Sequence, residues 1–251
     1  MKSNPLILGG TTEATALCRA LSDAGIGGTI YLAGRVARPL QQPLPQRIGG
    51  FGGVAGLVQY LADHRISHVI DATHPFAAQM STNAIQACAL AHVPLIALSR
   101  EPWRAGAGDK WTHVRDIAGA VTALKCPAAR VMLAVGRMHL AEFSPNPQHF
   151  YLLRLIDAPE DRLPFPDHRI VLDRGPFTYQ GDLELMQENG INLVVSKNSG
   201  GTGARAKLAA ARALGIPVVM IDRPDLPPRL ETYEVSAVLD WLCHGRTDLG
   251  V

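Results

Sequence analysis

Two segments place glycines and small polar side chains between an apolar run and a helix-like stretch, where backbone amides can face an anion. The first is Leu6-Ile7-Leu8-Gly9-Gly10-Thr11-Thr12-Glu13. Glycine lets N–H groups approach a phosphate closely, and a following helix N-terminus adds partial positive charge. The spacing is neither GxGxxG nor a Walker A loop. Gly9, Gly10, Thr11, Thr12 and Glu13 are therefore candidates for phosphate or ribose contact. Without a ligand, the same residues make a tight strand-to-helix turn capped by Thr11 or Thr12. The second segment is Val195-Ser196-Lys197-Asn198-Ser199-Gly200-Gly201-Thr202-Gly203, followed by a helix carrying Arg205 and Lys207. Ser199, Gly200 and Gly201 are candidate cofactor contacts here, and Lys197 and Asn198 candidate substrate contacts. Arg174, in Arg174-Gly175-Pro176-Phe177, offers another cation to a substrate.

Two further strand ends carry chemistry. Tyr31-Leu32-Ala33-Gly34-Arg35-Val36-Ala37-Arg38 closes the second apolar run with arginine where dinucleotide folds that bind NAD place an acid. A guanidinium forms paired bonds with a phosphate, so Gly34 and Arg35 suit the 2′-phosphate of NADP; a solvated loop arginine is the alternative. Asp71-Ala72-Thr73-His74-Pro75-Phe76-Ala77 places Thr73 at a cofactor and His74 where it could bond a ligand or move a proton. A lone histidine is more often structural. His64 and His68 end a helix and begin a strand, so they share no face, and no metal site is expected.

Positioning these residues requires alternating elements. Strands are expected at Pro5–Leu8, Thr29–Leu32, His68–Ile70 and Pro94–Leu98, with a short one beginning at Arg47 and Ile48. Helices are expected over Thr12–Ala24, Val54–His64 and Pro75–Ala91, the last opened by proline. The second half repeats the logic, with strands at Val131–Val135, Tyr151–Ile156, Ile170–Leu172, Leu193–Val195 and Pro217–Ile221. Helices there cover Ile117–Leu124, Leu183–Glu188, Ala204–Leu214 and Val235–Leu242. Such alternation implies mainly parallel sheets flanked by helices. The expected fold is α/β with two Rossmann-like lobes, residues 1–105 binding nucleotide and 106–251 forming the second lobe. A ligand cleft is expected between them.

Composition narrows the function classes. Across 251 residues the chain is 47% apolar and 18% charged, enough for a buried core. A net charge of +2, with no basic run or interleaved aromatics, gives no case for nucleic acid. Arg35, Arg38, Arg137, Arg174 and Arg223 instead lie near glycine turns, a pattern suited to small anions. The four cysteines lie far apart and are expected to be reduced and mostly buried. The first apolar stretch is too short for a signal peptide or a membrane helix, so a cytoplasmic location is expected.

Taken together, Gly9-Gly10-Thr11-Thr12-Glu13-Ala14, Asp71 to Ala77, Arg174 to Phe177, Ser196 to Gly203 and Gly215-Ile216-Pro217-Val218-Val219 resemble the precorrin-6A reductase family. The motifs stand in that family's order and span nearly the whole chain. The resemblance implies NADPH-dependent reduction of one macrocycle double bond of precorrin-6A, giving precorrin-6B in cobalamin biosynthesis. It implies a tetrapyrrole with several carboxylates as the partner molecule. His74 or Lys197 would be the catalytic proton donor, unless a bound water serves. The cobalt-containing substrate of the anaerobic route is the nearest alternative, and a non-enzymatic module that binds nucleotides or anions is the second. A short-chain dehydrogenase or epimerase is the weaker rival, because it needs lysine four residues after tyrosine. Arg35, His64, Leu155, Leu183 and Ala237 follow the five tyrosines at that distance.

Overall fold

The computed structural model describes residues 3–34, 40–159, 161–173 and 175–244. The chain divides into a unit made of Met1–Arg100 with Asp225–Val251, and a second unit, Glu101–Pro224. Each contains a six-stranded sheet, and every strand pairing within them is parallel.

In the first unit the strands are β1 (Pro5–Leu8), β2 (Thr29–Leu32), β3 (Gln46–Ile48), β4 (His68–Asp71), β5 (Leu95–Leu98) and β12 (Leu230–Thr232). They lie in the order β3-β2-β1-β4-β5-β12, the 3-2-1-4-5-6 order of dinucleotide-binding sheets. Alternation along β1 shows how the sheet is covered. Ile7 points into one apolar layer with Leu17, Cys18 and Leu21 of α1 (Thr12–Asp23) and Val238 and Leu242 of α7 (Val235–His244). Leu6 and Leu8 point into the other, with Leu57 and Leu61 of α2 (Gly53–Asp63) and Ala84, Ala87 and Cys88 of α3 (Ala78–Ala91). Buried on both faces, these strands read as continuous apolar runs.

The second unit repeats the plan with β6 (Trp111–Val114), β7 (Arg130–Ala134), β8 (Phe150–Leu155), β9 (Asp167–Leu172), β10 (Leu193–Lys197) and β11 (Val218–Ile221). Their order, read as β9-β8-β7-β10-β11-β6, is again 3-2-1-4-5-6, with β7 in the place of β1. Met132, Leu152, Val194, Val218 and Met220 pack with Met186 of α5 (Tyr179–Glu188) and Leu208, Ala210 and Ala211 of α6 (Ala206–Ala213). A further helix, α4 (Ile117–Ala123), joins β6 to β7.

The sixth strands are exchanged along the chain. After β5 the polypeptide enters the second unit and supplies β6, which pairs with β11; after β11 it returns and supplies β12, which pairs with β5. The sequence-based division at residue 105 lies close to this first crossing. The assignment of the last residues to the second lobe does not match the pairing, since β12 and α7 complete the first. Neither β6 nor β12 is predicted from the sequence. They are edge strands with partly exposed, polar-containing sequences, WTHV and LET.

Helix boundaries differ in one informative place. Pro75 does not open α3: Ala77 N–H donates to the His74 carbonyl at 2.7 Å, closing a turn first, and the helix begins at Ala78. All four cysteines are free. Cys18 and Cys88 are buried as expected, whereas Cys126 is half-buried and Cys243 exposed. Burial pushes the Cys18 thiol up to about 11 and, with the Asp71 charge adding to burial, Cys88 up to about 12. Neither is a nucleophile near neutral pH.

Leu242 is 1% exposed in the α1–α7 layer. Leu242→Ala is expected to cost about 2–5 kcal/mol in urea unfolding, the range for a buried Leu truncation. An unchanged midpoint would mean that α7 is not integral to the first unit.

Candidate functional site

In both sheets the strand order reverses beside a central strand, between β1 and β4 and between β7 and β10. Ligands of open α/β sheets collect at the carboxyl ends of strands at such a reversal. Three of the turns singled out in the sequence lie there: those following β1, β4 and β10.

At the first reversal, Gly9 and Gly10 are glycines for different reasons. A Cβ on Gly9 would lie 2.7 Å from Ile30 Cδ1, so its backbone is pressed against β2. Gly10 has φ +115°, and a Cβ there would meet nothing within 4 Å. Its exposed, left-handed backbone is the approach a ligand would use. Thr11, not Thr12, caps α1: its Oγ1 accepts from Ala14 N–H at 3.1 Å and donates to the Ala72 carbonyl at 2.8 Å. One hydroxyl thus fastens the β1 turn to the β4 turn. Thr12 Oγ1 donates to Glu13 at 3.1 Å, and Glu13 pairs with Arg100 at 3.2 Å.

Buried Asp71 organises the turn after β4. One of its oxygens accepts from Thr73 Oγ1 at 2.7 Å and from Thr73 N–H at 3.1 Å. The other pairs with Arg229, which leads into β12. Breaking a buried pair by removing one partner is strongly destabilising, so Arg229 ties the returning segment to the site's own floor. His74 Nδ1 accepts from Phe76 N–H at 3.2 Å. This bond assigns the neutral ring its proton on Nε2, the form that donates from that nitrogen. Gly34 has φ +68°, with Ile48 Cγ2 3.3 Å from where a Cβ would sit. Arg35 and Arg38 lie outside the described residues, as does Arg174.

The glycine loop after β10 is built differently from the β1 turn. A Cβ on Gly200 would lie 2.3 Å from the Glu101 carbonyl oxygen and 2.4 Å from the Arg223 guanidinium, so protein already fills that side. Asn198 is buried and its amide brackets the Trp103 backbone, accepting from Trp103 N–H at 2.8 Å and donating to its carbonyl at 3.0 Å. Arg223 Nε donates to the Asn198 carbonyl at 3.0 Å, and Trp103 Nε1 donates to the Gly201 carbonyl at 2.6 Å. Internal packing therefore accounts for Gly200 and the Asn198 side chain, which the sequence pattern assigned to ligands. Lys197, the last residue of β10, is nine-tenths buried at the carboxyl end of this interior strand, and Ser199 is half-buried beside it.

Beneath this loop lies a charged cluster that spacing alone could not reveal. Lys207 Nζ donates to the Ala204 carbonyl at 2.6 Å and sits 4.7 Å from the Trp103 ring centre. Arg154 pairs with Asp182 at 2.6 Å and stacks on Phe177, while the second Asp182 oxygen is buried with no hydrogen-bond partner among the described residues. Burial, followed by the Arg154 charge, pulls the Lys207 ammonium from 10.5 down to about 7. Burial pushes the Asp182 carboxyl upward despite Arg154. Among the described residues, no group of three or more histidine, cysteine or acidic side chains is placed to hold a metal, and no helix is long and apolar enough to cross a membrane.

Two doubly wound parallel sheets, one with an open βα turn at its order reversal, define the class: a doubly wound α/β protein. The profile of the family described as CbiJ, precorrin-6x reductase CbiJ/CobK, matches residues 5–243, and the chain belongs to that family. A precorrin-6A reductase of Rhodobacter capsulatus is 58% identical over 98% of each chain. One from Rhodococcus erythropolis is 43% identical over 94% of this chain and 96% of its own. A cobalt-precorrin-6A reductase of Priestia megaterium is 28% identical over 88% of this chain and 91% of its own. The solved structure of a CobK precorrin-6A reductase superposes with a TM-score of 0.93 at 58% identity, covering 96% of both chains.

Titration of Lys207 has a calculable consequence. Between about 7 and 10.5 the unfolded chain holds a proton that the folded chain has released, so stability rises with pH across that window. Arg154 and Asp182 face the ammonium, and Asp173 acts on Asp182. Urea unfolding of wild type and Lys207→Met at several pH values should show wild type gaining on the variant as pH rises. A constant difference would mean that Lys207 stays charged when buried.

Proposed function

We propose that the protein reduces precorrin-6A to precorrin-6B with NADPH, a step of cobalamin biosynthesis. The observation that carries the reading is the turn from β1 to α1 at the order reversal, with Gly10 open and left-handed and Thr11 capping the helix. The open side of Gly10 is the cradle that a Cβ would fill, and it fits the pyrophosphate of a dinucleotide. Gly9, Gly10, Thr11 and Thr12 would hold that pyrophosphate. Gly34 and Arg35, after β2, would hold the 2′-phosphate end, and Thr73 would line the opposite side. Glu13, paired with Arg100, would fix the first turn of α1 rather than contact the cofactor directly.

When bound, NADPH supplies a hydride to one carbon of the conjugated macrocycle, and a proton must reach a second carbon. The protein's part is orientation and electrostatic stabilisation, because the conjugated substrate is already activated. His74 would donate a hydrogen bond from Nε2 at the end of β4, and Lys197 or a bound water would deliver the proton. Lys197, at the end of β10, would supply positive charge toward a substrate carboxylate. Ser199, Gly201 and Arg174 would add polar contacts in the second unit. We place Asn198 and Gly200 behind those contacts, as their support.

Identity of 43–58% to relatives named for precorrin-6A, against 28% to one named for cobalt-precorrin-6A, favours the metal-free substrate. The localisation that fits this reading is the cytoplasm.

Purified protein should oxidise NADPH only when precorrin-6A is present, and NADH much more slowly. No oxidation with precorrin-6A, but turnover with its cobalt form, would move the protein to the anaerobic substrate. Nucleotide binding without turnover on either would make it a binding module. Arg35→Ala should reduce the preference for NADPH over NADH by about tenfold or more, since a charged pair with phosphate is lost. An equal loss for both nucleotides would remove the 2′-phosphate role from Arg35.

A further inference from the structure

The loop between β10 and α6 is fastened by its carbonyls. Those of Asn198 and Ser199 accept from Arg223 at 3.0 and 3.3 Å. The Gly201 carbonyl accepts from Trp103 Nε1 at 2.6 Å, that of Gly203 from Phe177 N–H at 3.3 Å, and that of Ala204 from Lys207 Nζ at 2.6 Å. The N–H groups behave differently. Those of residues 201–204 make no hydrogen bond among the described residues. In a planar trans peptide, the C=O of one residue and the N–H of the next point in opposite directions. Fixing the Gly201 and Gly203 carbonyls against protein donors therefore turns the amides of Thr202 and Ala204 away from those donors. Successive unbonded N–H groups in a turn favour an anion.

Two of the side chains that fasten the loop also touch each other. Lys207 Nζ lies 4.7 Å from the centre of the Trp103 ring. Trp103 is held in turn by Asn198, whose amide accepts from its N–H at 2.8 Å and donates to its carbonyl at 3.0 Å. Trp103 is 7% exposed and Lys207 6%, so both hydrogen bonds to the loop are made away from water. Removing either donor leaves a loop carbonyl without its partner and frees the peptide to rotate.

We infer that Trp103 and Lys207 are positioning residues for the substrate: by pinning the Gly201 and Ala204 carbonyls, they aim the loop's amides at a carboxylate of the tetrapyrrole. The inference rests on the proposed reductase reading and adds to it two residues that act on the substrate only through the loop.

The test is steady-state kinetics of the full-length protein with precorrin-6A and NADPH, comparing wild type, Trp103→Phe, Lys207→Met and the double variant. Trp103→Phe keeps a ring beside Lys207 and removes the donor to Gly201. Lys207→Met keeps an unbranched side chain against Trp103 and removes the donor to Ala204. Each should raise KM for precorrin-6A about fivefold or more, with kcat and KM for NADPH within about twofold of wild type. The double variant should raise it by less than the product of the single effects, because both act on one loop. If Lys207→Met does not fold, Trp103→Phe alone decides the point. An unchanged precorrin-6A KM overturns the inference and leaves the reductase reading standing. So does a fall in kcat with both KM values unchanged, the mark of a smaller folded fraction. A rise in the NADPH KM in step with that for precorrin-6A also overturns it, assigning the loop to the cofactor. Absence of wild-type turnover removes the reading and the inference together.

Discussion

Everything at the candidate site depends on where β1 and β7 lie in their sheets. Each is paired in parallel on both sides, β1 with β2 and β4, β7 with β8 and β10. Parallel neighbours need crossover connections, and at an order reversal those connections leave for opposite faces of the sheet. The backbone beyond the strand ends is then not covered by its own chain. Gly10 and Gly136, each with open space where a side chain would stand, mark that gap in the two sheets.

The surroundings of the gap are rigid and polar. Thr11 bonds across to Ala72, Asp71 holds Thr73 and Arg229, and so the floor of the first site is fastened to the segment that brings in β12. In the second unit Trp103 and Asn198 interlock, and Lys207 supports the chain at Ala204. Trp103 precedes β6 and Arg229 precedes β12. Each exchanged sixth strand thus arrives with a residue that braces a turn at a strand end, Trp103 the turn after β10 and Arg229 the turn after β4.

The sequence is most legible where one physical requirement acts locally. Apolar runs such as LILGG show a strand buried on both faces and the glycine turn that ends it. The β6 and β12 strands are not legible, because an edge strand pairs on one side only and keeps polar residues such as Thr112, His113 and Glu231. Gly200 shows the limit of motif reasoning: the string SGGTG looks like an anion loop, yet a residue 99 positions earlier, Glu101, occupies the space that its missing side chain leaves. Gly136 shows the converse. A single glycine between Val135 and Arg137 carries no motif, and only its place in the strand order reveals it. Lys207 reads only as a cation on the helix after the second glycine segment until its burial beside Trp103 and Asp182 is seen.

The central claim is that nucleotide sits at the order reversal of the first sheet. Hydrogen–deuterium exchange of backbone amides, with and without NADP⁺, tests it directly. Protection of the amides at 9–14, with those at 199–203 little changed, is the result the geometry requires. Protection confined to 199–203, with 9–14 exchanging as in the free protein, would contradict it and move the nucleotide to the second unit.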